Sequence, residues 1–271
     1  MSAMESARSV VTGAGSGLGR AFAETLAARR GKLLVSDIDL ALAEATAARV
    51  RELGGEAEAM RCDVRQAAEV EALAARMDER FGGTDLVINN AGVAVSGLVG
   101  EVSLEDWRWI LDINLLGVIH GCHSFIPRFR RAGSGHVINV ASAAGLISLP
   151  TMAPYNATKA AVVALSEALR GEVGHLGIHV TVLCPSFFVT NIIRDARGPS
   201  DPRDAEEATK LMERSRVQAP DVARAALEAV ANDQLYCVPM LDGRLVWRLK
   251  RLWPWLFSTV TAAAYRRRLK K

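Results

Sequence analysis

The sequence predicts a single α/β domain built on a doubly wound parallel sheet, and three observations predict it. Short apolar runs bounded by turn residues alternate with longer stretches of helical periodicity from residue 8 to about residue 240. A glycine-rich turn, Thr12-Gly13-Ala14-Gly15-Ser16-Gly17-Leu18-Gly19, joins the first apolar run to the first helical stretch. The length of 271 residues, with 50% hydrophobic and 23% charged, suits one large core and excludes a disordered or collagen-like chain. No repeat beyond strand–helix alternation is present and no linker precedes about residue 242, so residues 1–242 read as one domain and 243–271 as a tail.

In order, residues 8–12 form a strand and residues 20–30 an amphipathic helix, with the glycine turn between them. Glycines there permit a tight turn and let backbone N–H groups and the helix N-terminus approach a pyrophosphate. The second strand, 32–37, ends in Asp37, eighteen residues after Gly19. An acid at that place accepts hydrogen bonds from an adenosine ribose and repels a 2′-phosphate; its other use is to cap the helix at 40–53, a job for which Asp39 is better placed. A third strand, 56–62, precedes Asp63-Val64 and a helix at 67–81; a fourth, 85–88, runs into Asn89-Asn90-Ala91-Gly92, a polar loop that suits close approach to a ligand. Ser103 starts a helix in which Asn114 stands among apolar residues, so its amide either braces backbone or touches a site. Trp107 and Trp109 suit packing or a subunit contact, and the pair His120 and His123 lacks a third ligand for a metal. The fifth strand, 135–142, carries Ser142 at its carboxyl end, where ligands of parallel sheets sit. The sixth, 179–184, ends at Pro185, and the spacing of His175 and His179, broken by Gly177, suits a surface turn at its start. Residues 191–217, polar and then helical from 204, read as a mobile lid, followed by a helix through 231 and a last strand at 236–239.

The chemistry centres on Ala153-Pro154-Tyr155-Asn156-Ala157-Thr158-Lys159, which opens a helix. Tyr155 and Lys159, four residues apart, project from one helix face. A phenol titrates near pH ~10, and a neighbouring ammonium favours the phenolate and brings it toward useful range for alcohol and carbonyl proton transfer.

Thr12-Gly13-x-x-x-Gly17-x-Gly19, Asn89-Asn90-Ala91-Gly92, Asn114, Ser142 and Tyr155-x-x-x-Lys159 together resemble the short-chain dehydrogenase/reductase family across about residues 8–240. The resemblance implies a Rossmann-like domain with a seven-stranded parallel sheet, assembled as a homotetramer or homodimer. It implies that Tyr155 is the general acid/base, Lys159 lowers its pKa and holds the nicotinamide ribose, Ser142 bonds the reacting oxygen and Asn114 supports a water relay to Lys159. It also implies cofactor contacts from Gly13, Ser16, Gly17, Leu18, Gly19, Asp37, Ile38, Asp63, Val64, Asn90, Ala91, Gly92, Pro185 and Thr190, with Tyr155 and Lys159. Family members that take NADP usually carry a basic residue in the glycine turn or just after the second strand. Here Ser16 and Ile38 hold those places beside Asp37, which predicts NAD. Pro185-Ser186-Phe187-Phe188 replaces the family's usual Pro-Gly, so a pocket of Ala144, Leu149, Phe187 and Phe188 should be bulky and apolar and take a lipophilic secondary alcohol or ketone. The competing function is a nucleotide-binding scaffold at a membrane surface, against which the complete catalytic set speaks.

Charge separates the chain into two parts. Nine of its 33 basic residues lie in 244–271, where there is no acid, leaving 24 against 30 acidic residues in the body. With Trp247, Trp253 and Trp255 among those charges, the tail suits either a peripheral anchor on an anionic membrane or packing on the subunit or its neighbour; nucleic acid is a poor fit. Its apolar run is too short to span a bilayer. Cys62, Cys122, Cys184 and Cys237, dispersed and without a secretory signal before Ser9, read as buried free thiols of a cytoplasmic protein.

Overall fold

A computed structural model describes residues 4–199 and 201–269; residues 1–3 of the expected domain, Ser200 of the expected lid, and Lys270 and Lys271 of the tail lie outside them. Seven strands run parallel: β1 (Arg8–Thr12), β2 (Lys32–Asp37), β3 (Glu56–Arg61), β4 (Leu86–Asn89), β5 (Gly135–Val140), β6 (Ile178–Leu183) and β7 (Tyr236–Cys237). Their spatial order is β3-β2-β1-β4-β5-β6-β7. The chain winds outward from β1 to β3, then returns to build the other half from β4. The carboxyl ends of β1 and β4 therefore splay apart and open the crevice where a parallel sheet binds its ligand.

Apolar strands follow from burial on both faces. Successive residues point to opposite sides, so Val10, Leu34, Val87, Val137 and Val180 pack in one layer and Val11, Val35, Ile88 and Ile138 in the other. Helices α3 (Ala67–Phe81), α5 (Gly117–Ala132) and α7 (Ala153–Val173) cover the first layer. Helices α1 (Gly17–Ala27), α2 (Leu40–Glu52) and α9 (Ala219–Ala231) cover the second. Only β3, at the edge, has no fully buried residue, which accounts for its alternation of Glu and Ala.

Helix α1 begins at Gly17, not at 20, because the last glycines of the turn are already its first turn. Asp39 caps α2, its carboxylate accepting from the Ala41 and Leu42 N–H groups at 3.0 and 3.3 Å. Helix α4 (Leu104–Leu111), capped by Ser103, continues into α5 through a π-helical turn, Asp112–Leu116. The continuous stretch Leu104–Ala132 is long and apolar enough to cross a membrane, but half of its most apolar window is buried in this fold, where it serves as a core helix.

A short helix α6 (Ala143–Leu146) follows β5, and α8 (Pro202–Arg214) occupies about half of the segment expected as a lid. The tail forms two helices, α10 (Leu241–Leu252) and α11 (Pro254–Arg268). Helix α10 packs on its own subunit: the Trp247 ring lies 5.0 Å from the Tyr236 ring, and Lys250 Nζ donates to the Leu146 carbonyl at 2.7 Å. His175 sits in a surface turn, but His179, expected there too, lies in β6. As an early residue of the strand, where 179–184 was expected, it brings Nδ1 to Asp233 at 2.7 Å and stacks its ring 5.8 Å from that of buried His136. All four cysteines are buried and unpaired.

Candidate active site

The site is assembled where β1 and β4 part. Thr12, last in β1, accepts at Oγ1 from the Asn90 and Ala91 N–H groups at 3.0 and 3.2 Å. Asn90 returns its amide to the Thr12 and Gly13 carbonyls at 2.8 and 3.0 Å, clamping the two loops together. That closeness requires glycine. A Cβ at Gly13, whose φ is +62°, would lie 2.7 Å from Ala91 Cα, and one at Gly19 would lie 2.2 Å from the Gly13 carbonyl oxygen. At Gly17, φ +52°, nothing lies within 4 Å of a Cβ position, so the helix N-terminus opens to a ligand there. Leu18 is buried, which leaves only its backbone for a cofactor.

Asp37 stands at the tip of β2, its carboxylate accepting from the Gly15 and Asp39 N–H groups at 2.9 and 3.1 Å, with Ile38 exposed beside it. Asp63 is buried and bound by the Arg65 guanidinium at 2.6 Å, a hydrogen-bonded pairing that holds its carboxyl below the usual range. Its carboxylate is thus already partnered, while the Val64 carbonyl meets His120 Nδ1 at 2.8 Å. Among the described residues no group of three His, Cys, Asp or Glu is placed to hold a metal.

Tyr155 and Lys159 lie one turn apart at the start of α7, where Pro154 takes an early position that needs no N–H partner. Lys159 is 3% exposed; its Nζ donates to the Val140 carbonyl, at the end of β5, at 2.9 Å and lies 5.7 Å from the Tyr155 ring centre. Burial lowers the Lys159 pKa to about 8. Burial also raises the Tyr155 pKa, and a hydrogen bond with Ser142 acts against that rise. The spacing of the two residues alone predicts that the ammonium pulls the phenol downward. Desolvation outweighs that pull, because the ammonium is aimed at a carbonyl rather than at the phenol oxygen.

Ser142 caps α6, its Oγ accepting from the Ala144 N–H at 3.1 Å, with the Pro185 carbonyl 3.5 Å away. Asn114 sits in the π turn with no exposure. Its Oδ1 accepts from the Val93 N–H at 2.8 Å, and its Nδ2 donates to the Val93 carbonyl at 2.9 Å and to Thr158 Oγ1 at 3.3 Å. It therefore braces the loop after β4 and touches the catalytic helix as well. A Cβ at Gly92 would lie 3.3 Å from Asn114 Oδ1 and 3.4 Å from Lys159 Nζ, so loop, π turn and α7 meet there.

The expected substrate wall is only partly assembled. Ala144 and Phe187 remain partly accessible, and Phe187 borders a cavity of about 320 Å³ beneath α8. Phe188 is 7% exposed and packs in the layer containing Ala14, Leu18 and Ala223, so it backs the site instead of lining it. Leu149 borders a groove of about 440 Å³ with Ala153, Ala157 and Ala160. At 3.6 residues per turn those alanines point about 140–160° away from Tyr155, so Leu149 belongs to the back of α7. Two residues without a role predicted from the sequence, Thr158 and Arg197, also support the site. Thr158 Oγ1 donates to the Tyr155 carbonyl at 2.9 Å while receiving Asn114. Arg197 ties the segment after Thr190 to Ala94 and Ser96 through backbone bonds of 3.0 Å, with its guanidinium 4.0 Å above the Trp109 ring. Thr158 stood inside the motif; Arg197 had no local signal.

The model of the short chain dehydrogenase family matches residues 8–200. SadH of Mycobacterium tuberculosis, named as an oxidoreductase, is 34% identical over 267 residues, covering 97% of this chain and 96% of that protein. D-threitol dehydrogenase of Mycolicibacterium smegmatis is 36% identical over 238 residues, covering 86% and 88%. Among solved structures, a short chain dehydrogenase/reductase from Burkholderia phymatum in complex with NAD aligns with a TM-score of 0.88 at 34% identity, covering 94% of this chain and 96% of that one. A family match over most of the chain, with relatives aligned along nearly its whole length, places this protein in the short chain dehydrogenase family.

Proposed function

We propose that this oxidoreductase uses NAD to interconvert a lipophilic secondary alcohol and its ketone, with Tyr155 as general acid and base. The observation that carries the reading is the buried Lys159 ammonium, fixed on Val140 and 5.7 Å from the ring of Tyr155, whose phenol pKa Ser142 holds down against the effect of burial. The residues fit a dinucleotide: open space at Gly17 beside the N-terminus of α1 suits a pyrophosphate, and Asp37 at the tip of β2 suits an unphosphorylated ribose. Bound NAD supplies the hydride acceptor, and the protein supplies the proton path and the orientation.

In alcohol oxidation Ser142 holds the substrate oxygen and Tyr155 takes its proton; in ketone reduction Tyr155 returns it. Lys159, charged below its pKa of about 8, stabilises the phenolate that oxidation requires. Asn114 positions the loop after β4 and the first turn of α7 through Val93 and Thr158. Partly accessible Ala144 and Phe187 supply apolar surface that favours lipophilic substrates, and Arg197 pins the stem of the polar lid at 191–217. Exposed Leu104, Leu116 and Ile119 on the α4–α5 surface suit a homo-oligomer contact, and four buried unpaired thiols suit the cytoplasm.

The test follows NADH formation from NAD with a panel of lipophilic secondary alcohols beside small polyols such as threitol. Turnover concentrated on the lipophilic members is the expected result. Turnover of the polyols alone would overturn the substrate class, and NAD binding without any turnover would overturn the enzymatic reading.

A further inference from the structure

We propose that the α10–α11 pair is a docking face for an anionic lipid surface. The inner side of α10 is committed to the subunit through Gly243, Trp247 and Lys250. Its outer side carries Leu241, Leu245, Leu249 and Leu252, each at least half exposed. Spaced by four, four and three residues, they occupy an arc of about 80° on one helix face. Exposed Arg248 and Arg251 lie on one side of that arc. The stripe runs into the junction with α11, where Trp253, Trp255 and Leu256 are exposed, and Arg266 and Arg267 are exposed at the far end. Soluble surfaces usually scatter such side chains singly; a continuous apolar stripe has an occupant.

Charge identifies the occupant. Residues 244–271 hold nine basic side chains and no acid, whereas the rest of the chain holds 24 basic against 30 acidic. An anionic surface is therefore drawn to the tail and repelled by the body, which fixes orientation as well as attraction. Each cation near such a surface contributes about 1 kcal/mol, leucines enter the acyl boundary, and tryptophans settle at headgroup level. A second copy is the wrong occupant, because a two-fold contact would set the same basic cluster against itself. Nucleic acid offers phosphate for the arginines but nothing for the leucine stripe. Neither helix spans the bilayer: with 12 and 15 residues they fall short of the ~20 that crossing requires. Lys250 links α10 to Leu146, in the segment that begins at Ser142, so a docked tail would sit beside the wall of the candidate site.

The experiment sediments the full-length protein with phosphatidylcholine vesicles, with and without phosphatidylglycerol, at moderate and high salt. Two variants accompany it: Leu245→Ser with Leu249→Ser and Leu252→Ser, and Arg248→Glu with Arg251→Glu. Both changes fall on exposed positions, so the melting temperature checks the fold and the arginine variant serves if the leucine variant fails to fold. Binding to the anionic vesicles only, weakened about tenfold or more by either variant, is the expected result. Equal sedimentation with both vesicles, or none, would overturn the proposal. So would anionic binding that the leucine variant keeps, or a leucine variant that loses only self-association in light scattering. NAD binding, measured in parallel, is independent of these outcomes, so failure of the docking face and failure of the oxidoreductase reading are separable.

Discussion

Replacing Asp37 by Asn tests the cofactor assignment at the position where the structure makes it sharpest. The carboxylate accepts from the Gly15 and Asp39 N–H groups at 2.9 and 3.1 Å, and an asparagine oxygen can keep one of those bonds, so the glycine turn survives the change. What is lost is the negative charge. A hydrogen bond from a ribose hydroxyl to a charged acceptor contributes about 1.5–3 kcal/mol, roughly half of which a neutral amide retains, so NAD should bind about tenfold more weakly. A 2′-phosphate brought within ~6 Å of the carboxylate suffers roughly 3 kcal/mol of repulsion per charge at an effective dielectric of ~20, and less where water screens it. Relieving that repulsion should strengthen NADP by about tenfold or more. The NAD to NADP preference should thus fall by about a hundredfold, read by calorimetric titration of both cofactors against parent and variant. Equal or tighter NADP binding by the parent, or an unchanged ratio in the variant, would refute the reasoning.

Two further outcomes follow from the same geometry. Lys159 titrates at about 8 in the fold against 10.5 unfolded. Between those values the unfolded chain binds more protons, so the destabilisation from burying the charge, complete below pH ~8, is relieved as pH rises. The buried cysteines, whose thiols burial pushes up, act in the opposite direction; the ammonium also pulls the Cys184 thiol down, but that thiol, pushed up to about 12, stays protonated to pH ~9.5 in parent and Lys159→Met alike, so the difference between the two is not affected. Denaturant unfolding should therefore show the parent gaining about 2 kcal/mol relative to Lys159→Met between about pH 7.5 and 9.5; parallel curves would contradict the buried ammonium. The adjacent phenylalanines separate core from pocket. Phe188→Ala should cost about 3–5 kcal/mol of stability, whereas Phe187→Ala should leave the melting temperature nearly unchanged and alter KM for lipophilic substrates; the reverse pattern would put Phe188 in the pocket.

The fold was legible because strands buried on both faces are continuous apolar runs, and Val10-Val11 and Leu33-Leu34-Val35 could not be mistaken for surface. The start of α1 was misplaced because Gly17 and Gly19 have no side chains to show periodicity. Residue spacing placed Tyr155 and Lys159 on one face, but it could not show that the ammonium is directed to Val140, a contact that depends on where β5 ends. Asn114 was conspicuous as an amide in apolar company. The π turn that turns it toward Val93 and Thr158 has no sequence period. Leu149 and Phe188 were misassigned because a loop side chain's direction is set by tertiary packing, which composition does not encode. The tail's charge was visible in the sequence; that its leucines form one exposed face required the helix.

Tyr155 is proposed to carry the proton in an NAD-dependent alcohol oxidation. Tyr155→Phe, which keeps the ring and removes the hydroxyl, tests it with two readings on one preparation: NADH formation and NAD affinity. A fall in kcat of about a hundredfold or more is expected, with NAD binding and melting temperature essentially unchanged. A variant that turns over at the parent's rate while binding NAD normally would contradict it.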